Sequence, residues 1–379
     1  MIKLIDILFA IGAAQALFFS LLLVFVAQRN RAANRWLSGF IGLWSLVLID
    51  QFLYSTAFYR HTPYLVGWVW PVSAALTPCL YLYACSLMQI PQRRVVWHGV
   101  PVLAYFVLLV EFLALPGEQK LRLIYQPSSP GNSIWQIRWM SHVVLLQVLV
   151  YLPLIFLHLH RHQQRIREQF SAIDHLDLLW LRRVLFAFLT IFLVSLVGTF
   201  KAEWLQPSQL LMNALLVLTI FALGLLGARQ TPIAPADAAL APQPPSPSAQ
   251  AAPSAYRSSR FLPQLELSLR DHLLTLMAEH KPHHKSDLTL GELAKLADMS
   301  THDLSQLLNC GLQTKFYDFV NQHRVDDAID LLKAGTHLSM TDLAVEVGFN
   351  SRTTFYSAFK KRTGQTPNGF RKGLSQVAN

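Results

Sequence analysis

The residues best suited to chemistry lie in two short polar sets near the end of the chain, about 50 residues apart. The first is Thr301, His302, Ser305, Gln306 and Asn309. The second is Ser351, Arg352, Thr353, Tyr356, Ser357 and Lys360. These side chains donate and accept hydrogen bonds; none is set up as a nucleophile. A glutamine amide matches the edge of adenine and an arginine fork matches guanine, each by two parallel hydrogen bonds. Ser351 precedes a predicted helix and Lys360 follows on it, two places suited to phosphate oxygens. The same residues on an ordinary helix would be solvated surface, so their meaning depends on the frame that holds them.

That frame is a repeat. LGELAKLADM (290–299) runs into STHDLSQLL (300–308), and MTDLAVEVGF (340–349) runs into NSRTTFYSAF (350–359). Each copy reads as a short helix, a tight turn and a second helix with a capping residue at its start. Ser300 with Asp303 forms a variant of the capping box. This is the pattern of a helix-turn-helix, whose second helix lies in the major groove of DNA. Between the copies, Phe316 to Leu332 keeps a continuous helical pattern that Gly335 stops. Before them, Leu262, Leu265, Leu269, Leu273 and Leu276 recur at helical spacing, which predicts an amphipathic helix that KPHHK (281–285) breaks.

The tail from about 287 to 372 resembles the DNA-binding domain of the AraC/XylS family of bacterial transcription regulators. Leu293-Ala294 and Leu343-Ala344 carry the resemblance in the supporting helices, and Arg324-Val325 with Ala328 and Leu331-Leu332 in the joining helix. It is densest in the second copy, over Val347-Gly348-Phe349, Phe355, Ala358-Phe359-Lys360-Lys361, Thr363-Gly364-Gln365-Thr366-Pro367 and Phe370-Arg371. Phe370 stands where the family often has Tyr, another flat aromatic. The resemblance covers under a quarter of the chain and implies a double helix-turn-helix that binds promoter DNA.

The rest of the chain has a different character. Hydrophobic residues make up 53% of the 379 and charged residues only 14%, far below the quarter usual in soluble domains. About seven apolar stretches, near 4–27, 37–58, 64–88, 95–115, 135–158, 184–200 and 208–227, are long enough to cross a bilayer. The formal net charge is +10, but after residue 256 basic residues barely outnumber acidic ones. The excess lies in clusters beside the apolar runs: Arg29, Arg31 and Arg35, then Arg93 and Arg94, then Arg161, Arg165, Arg167, Arg182 and Arg183, then Arg229. By the positive-inside rule this alternation places the N-terminus outside and residue 228 onward in the cytoplasm, where DNA is. The first run is too long for a signal-peptide core and reads as a span.

The expected fold is therefore all-α. A transmembrane sensor-like domain of about seven spans (1–229) leads into a Pro/Ala-rich disordered linker (230–257). An amphipathic connector helix (258–286) and the DNA-binding domain (287–379) follow. Polar groups within spans are costly in lipid and often functional. Asp50, Glu111, His142 and Asn213 all fall in the outward half of their spans and are the candidate lining of a ligand pocket, with interhelical hydrogen bonding as the plainer role. His158, His160 and His162 read as part of a basic interfacial cap rather than as metal ligands. Cys79, Cys85 and Cys310 match no zinc or disulfide spacing. Pro71 and Pro78 are expected to kink the third span.

The pattern implies a one-component regulator in the bacterial inner membrane that meets double-stranded DNA and a lipid bilayer. RNA polymerase, a second copy of the chain and a small-molecule or envelope stimulus are further candidate partners. Catalytic residues, metal and cofactor are not expected: phosphate-cradling glycine loops, HExxH and GxSxG are missing. The rival classes are a transporter or enzyme with an accessory DNA-binding tail, and a DNA anchor without a sensor.

Overall fold

The computed structural model describes residues 3–25, 30–92, 94–126, 135–174, 176–200, 209–230 and 263–377. The expected linker at 230–257 lies outside these apart from Gln230. Helices account for the architecture, and the one pairing of extended backbone among the described residues is an isolated bridge between Phe170 and Thr289. The chain forms two compact units. One comprises Met1–His160 and Leu178–Ile233, the other Arg161–Asp177 and Ala234–Asn379.

The first unit contains α1 (Leu4–Phe25), α2 (Arg31–Ser55), α3 (Trp70–Leu87), α4 (Val100–Ala114), α5 (Gly117–Tyr125), most of α6 (Trp135–Gln169), α7 (Leu179–Phe200) and α8 (Gln209–Arg229). Six helical stretches among the described residues are long and apolar enough to cross a membrane: Leu4–Phe25, Arg31–Ser55, Pro63–Leu87, Val95–Ala114, His142–Gln169 and Leu210–Arg229. Helix α7 covers the expected span 184–200 and is apolar in sequence from Val184 onward.

Side chains in this unit are sorted as lipid would sort them. Large apolar groups face outward, among them Leu4, Ile11, Phe18, Phe25, Leu103, Val107, Leu146, Leu149 and Leu218. Small and polar groups face inward, including Asn34, Ser38, Ser45, Gln147 and Thr219. Helices α1 and α2 meet along a seam of short side chains. The Ser20 hydroxyl lies 3.1 Å from that of Ser38, and Ser45 donates to the Ala13 carbonyl at 2.9 Å. On α8, a β-carbon at Gly227 would fall 2.3 Å from the end of the Leu37 side chain of α2, so a larger residue there would displace that side chain. Close packing of small residues with interhelical hydrogen bonds is how helices associate where water supplies no hydrophobic drive.

The second unit is built on two small cores threaded by one helix. Before them lies α9 (Pro263–His280), followed by α10 (Leu290–Leu296), α11 (Thr301–Gln306), α12 (Phe316–Lys333), α13 (Met340–Glu346), α14 (Arg352–Thr363) and α15 (Pro367–Val377). The first core gathers Leu273 and Met277 of α9, Leu290, Leu293 and Ala294 of α10, Leu304 and Leu307, and Phe316, Phe319 and Val320. The second gathers Val325, Ala328 and Leu332 with Met340, Leu343, Val347, Phe349, Phe355 and Phe359. The two ends of α12 thus serve different cores. Helix α9 contributes directly to the first core, more than a connector would. Lys281 takes φ +46 and ends it, and Gly335 takes φ +77 beyond α12, as the sequence signals at both places imply.

Candidate nucleic-acid interface

The two motifs repeat each other in backbone detail. In the first, Thr289 caps α10 through a full capping box: its hydroxyl accepts from the Glu292 amide at 3.3 Å, and the Glu292 carboxylate accepts from the Thr289 amide at 3.0 Å. Ser339 caps α13, accepting from the Asp342 amide at 3.1 Å and donating to its carboxylate at 2.6 Å. Both supporting helices end in the same turn, with Met299 N–H bonding Ala294 C=O at 2.9 Å and Phe349 N–H bonding Ala344 C=O at 2.8 Å. The left-handed residue of that turn is Asp298 in the first copy (φ +51) and Gly348 in the second (φ +94). Glycine is required in the second, because a β-carbon would meet the carbonyl oxygens of His283 and His284 at 2.6 and 2.7 Å.

The second helix of each motif then starts on a serine. Ser300 accepts from the Asp303 amide at 3.1 Å and donates to the Asp303 carboxylate at 2.7 Å. Ser351 accepts from the Thr354 amide at 3.4 Å. A capped N-terminus fixes the direction in which the helix leaves the turn, and so fixes which side chains look outward.

On α14, Phe355 and Phe359 point into the core. Arg352, Thr353, Ser357 and Lys360 are exposed, and Tyr356 is half-buried. At 100° per residue these five fall within an arc of about 140°. Arg352 is held on this face by Tyr356: its Nη2 donates to the phenol oxygen at 3.1 Å and its guanidinium lies 5.0 Å over the ring. Asn368 of α15 donates to the same phenol oxygen at 3.0 Å. The next two cations face elsewhere, Lys361 pairing with Asp318 at 2.8 Å and Arg362 with Asp326 at 3.0 Å, both on α12.

On α11, Leu304 is buried; Thr301, Ser305 and Gln306 are half-buried and His302 is exposed. The helix changes pitch after Gln306 into a π-turn over Leu307–Gly311. Asn309 therefore sits in that turn rather than on α11, and its amide donates to Ser305 Oγ at 3.3 Å.

Arg324, at the junction of the two cores, is 1% exposed. Its Nε donates to His283 C=O at 2.7 Å; its Nη2 donates to Lys285 C=O at 2.8 Å, Ser286 C=O at 3.2 Å and Ser171 Oγ at 3.2 Å. The guanidinium also lies 5.5 Å over Phe349 of the second motif. Burial pulls its pKa down to about 10, so it stays a cation. One residue thus ties the loop before the first motif to the turn of the second. Sequence reasoning placed Arg324 only within a family pattern; its burial has no signal in a single sequence.

Beside it, Asp327 Oδ2 accepts from His283 at 3.0 Å, His284 at 2.6 Å and Lys281 at 3.1 Å. This is the one group among the described residues with the spacing of metal ligands. The ammonium of Lys281 already occupies the shared oxygen, which makes the cluster an ion-pair knot holding the KPHHK break against α12.

The four polar residues singled out in the spans are placed differently from one another. Asp50 is buried and accepts a hydrogen bond from the Tyr59 hydroxyl. Asn213 lines a cavity of about 320 Å³ with Ile5, Phe9, Gln51, Tyr54, Ser55, Ser195 and Met212. Glu111 and His142 have exposed side chains and, like Asp50, do not line that cavity.

Residues 293–373 match the family model of a helix-turn-helix domain. An HTH-type transcriptional regulator of Staphylococcus aureus (strain COL) is 36% identical over 90 residues, 24% of this chain and 12% of that protein. The HTH-type transcriptional regulator YfiF of Bacillus subtilis (strain 168) is 32% identical over 102 residues, 25% of this chain and 31% of that protein. The chain thus spans only a small part of these relatives. Among solved structures, the C-terminal domain of AraT, a response regulator from Geobacillus stearothermophilus, is 30% identical over 30% of this chain and 88% of that one, with a TM-score of 0.25.

Proposed function

Starting from a chain whose C-terminal domain is a helix-turn-helix of the AraC type, we propose that it is a membrane-bound one-component transcription regulator. The observation that carries this reading is the pairing of two capped reading helices with a unit whose large apolar side chains face outward on helices of membrane-crossing length. Arg352, Thr353, Tyr356, Ser357 and Lys360 form the reading face of the second motif, with Ser351 at its phosphate end. Thr301, His302, Ser305 and Gln306 form that of the first, with Asn309 beside them. Arg352 and Gln306 read base edges; Ser351 and Lys360 hold phosphates.

In this reading the N-terminus lies outside, the arginine clusters and the C-terminal unit lie in the cytoplasm, and the spanning helices receive the stimulus. The cavity lined by Asn213, Gln51 and Ser55 is the place in the spanning unit that this reading assigns to a small ligand. Asp50, bonded to Tyr59, acts there as a tie between elements rather than as a ligand contact.

Reporter fusions after residues 62, 92, 125 and 230 test the topology. The reading expects them outside, inside, outside and inside. Cytoplasmic signals at both 62 and 92 would remove the proposed arrangement of the first three spans.

A further inference from the structure

Helix α6 is 35 residues long, or about 52 Å at 1.5 Å per residue, against a hydrocarbon core of about 30 Å. Its apolar run ends near residue 158, and the sequence beyond, HLHRHQQRIREQ, is polar. The chain then turns back toward α7. The turn is closed on itself, with Gln163 donating to Asp177 C=O at 2.8 Å and a His162 ring nitrogen 3.2 Å from Leu176 C=O. Although bounded by two helices of the first unit, Arg161–Asp177 belongs to the DNA-binding unit.

Its contacts reach both motifs. Ser171, 1% exposed, gives its backbone N–H to Leu288 C=O at 3.2 Å and its hydroxyl to the same oxygen at 2.7 Å. Phe170 bridges to Thr289, the cap of the first motif. Glu168 pairs with Lys315, the residue that precedes α12, at 2.9 Å. Arg167 lies 5.8 Å over the ring of Tyr317. Asp174 accepts a hydrogen bond from Thr354, in the first turn of the second reading helix.

We propose that this inter-helix segment is a docking element seated across both helix-turn-helix motifs, and that its release is the event through which the spanning helices raise DNA occupancy. The proposal rests on the reading of the C-terminal unit as a DNA-binding domain. Two features make the docking reversible. The ion pair and the Asp174 contact are half-exposed or exposed, the class of polar contact that contributes little. On release, Arg324 loses Ser171 but keeps the carbonyls of His283, Lys285 and Ser286, so its charge stays satisfied. The sign follows from charge. Asp174 places a carboxylate beside the N-terminal turn of α14, where the helix dipole and free N–H groups favour an anion and where Ser351 would meet a DNA phosphate. A docked carboxylate and a phosphate compete for that place.

The test uses the full chain in lipid nanodiscs and in cells. Ser171→Leu removes the hydroxyl and overfills its buried seat without changing charge; Ser171→Thr keeps the hydroxyl as control. Trypsin cleavage after Arg165 and Arg167 reports docking, and chromosomal occupancy reports the consequence. Ser171→Leu is expected to speed cleavage about fivefold or more and to raise occupancy by a similar factor, the low end of measured allosteric couplings. Ser171→Thr should match the wild type. Should Ser171→Leu fail to accumulate, Lys315→Glu takes its place, setting two carboxylates against each other without adding a trypsin site: faster cleavage, restored by adding Glu168→Gln, with occupancy following cleavage. Unchanged cleavage overturns the docking. Faster cleavage with unchanged or lower occupancy overturns its role in control. Absence of occupancy in the wild type would instead sink the DNA-binding reading on which the proposal rests.

Discussion

Replacing Arg324 by Met tests the claim that one buried guanidinium holds the two motifs together. Met fills a similar stem but offers no donor. Three backbone carbonyls, His283, Lys285 and Ser286, lose the hydrogen bonds they accept at 2.7, 2.8 and 3.2 Å. Each stranded buried acceptor costs about 1–3 kcal/mol, so the three together cost at least about 3 kcal/mol. Relief of the arginine's own desolvation, visible in its pKa of about 10, offsets part of the loss. Tryptophan fluorescence is blind to the event, because all nine Trp lie before residue 205. Hydrogen exchange on the full chain is the suitable assay. Protection of amides in α12 and α14 should fall by roughly two to four orders of magnitude, at about 1.4 kcal/mol per tenfold, up to the limit set by global unfolding. Arg324→Lys keeps the charge but not the fork and should recover little. Protection within about tenfold of wild type in Arg324→Met, about 1.4 kcal/mol, would refute the reasoning.

Arg352→Ala should abolish preference at one base position at a cost of about 1–3 kcal/mol, while Lys360→Ala weakens all sequences alike and flattens the salt dependence; titration of operator variants separates the two. Gly348→Ala must strain a φ of +94 and push its β-carbon into two carbonyls, so the second motif should lose more than about 2 kcal/mol, read as a lower melting temperature of the C-terminal unit. Acid should weaken the same unit. Burial pushes His283 down from 6.5 to about 4. Burial also raises Asp327, but the bonds from His284, His283 and Lys281 outweigh it and hold the carboxyl at about 2 rather than 3.8. The unfolded chain therefore binds more protons, His283 contributing from about pH 6.5 down to 4 and Asp327 from about 3.8 down to 2, so stability falls as pH falls across both windows. His283→Gln keeps a donor without a titrating ring and should flatten the upper window in a denaturant series; an unchanged slope there counts against the assignment.

What the sequence reveals and what it hides divide along the range of the interactions. The helices of both motifs follow from local rules: apolar residues at helical spacing, serine or threonine caps, and glycine after the last turn. Ser300, Ser351 and Gly335 stand in those roles. Asn309 departs because the π-turn at Leu307–Gly311 has no local sequence signal. Helix α9 reads from sequence as a free amphipathic connector, since nothing local says that Leu273 and Met277 complete the first core. Ser171 and Asp174 are invisible for the same reason. Their partners Leu288 and Thr354 lie more than a hundred residues away, and two polar residues in an arginine-rich loop resemble any cytoplasmic connection. In the spans, charge alternation gives depth along a helix but not rotation about it. That is why Asn213 lines the cavity whereas Glu111 and His142 have exposed side chains.

The central claim is that a membrane-embedded chain reads DNA through both of its reading helices. Chromosomal occupancy of the full-length protein, recovered from the membrane fraction, tests it most directly. The account predicts discrete peaks at promoters, lost when Gln306→Ala and Arg352→Ala are combined while protein abundance in the membrane holds. Peaks that persist in the double variant, or a flat profile for the wild type, would contradict it.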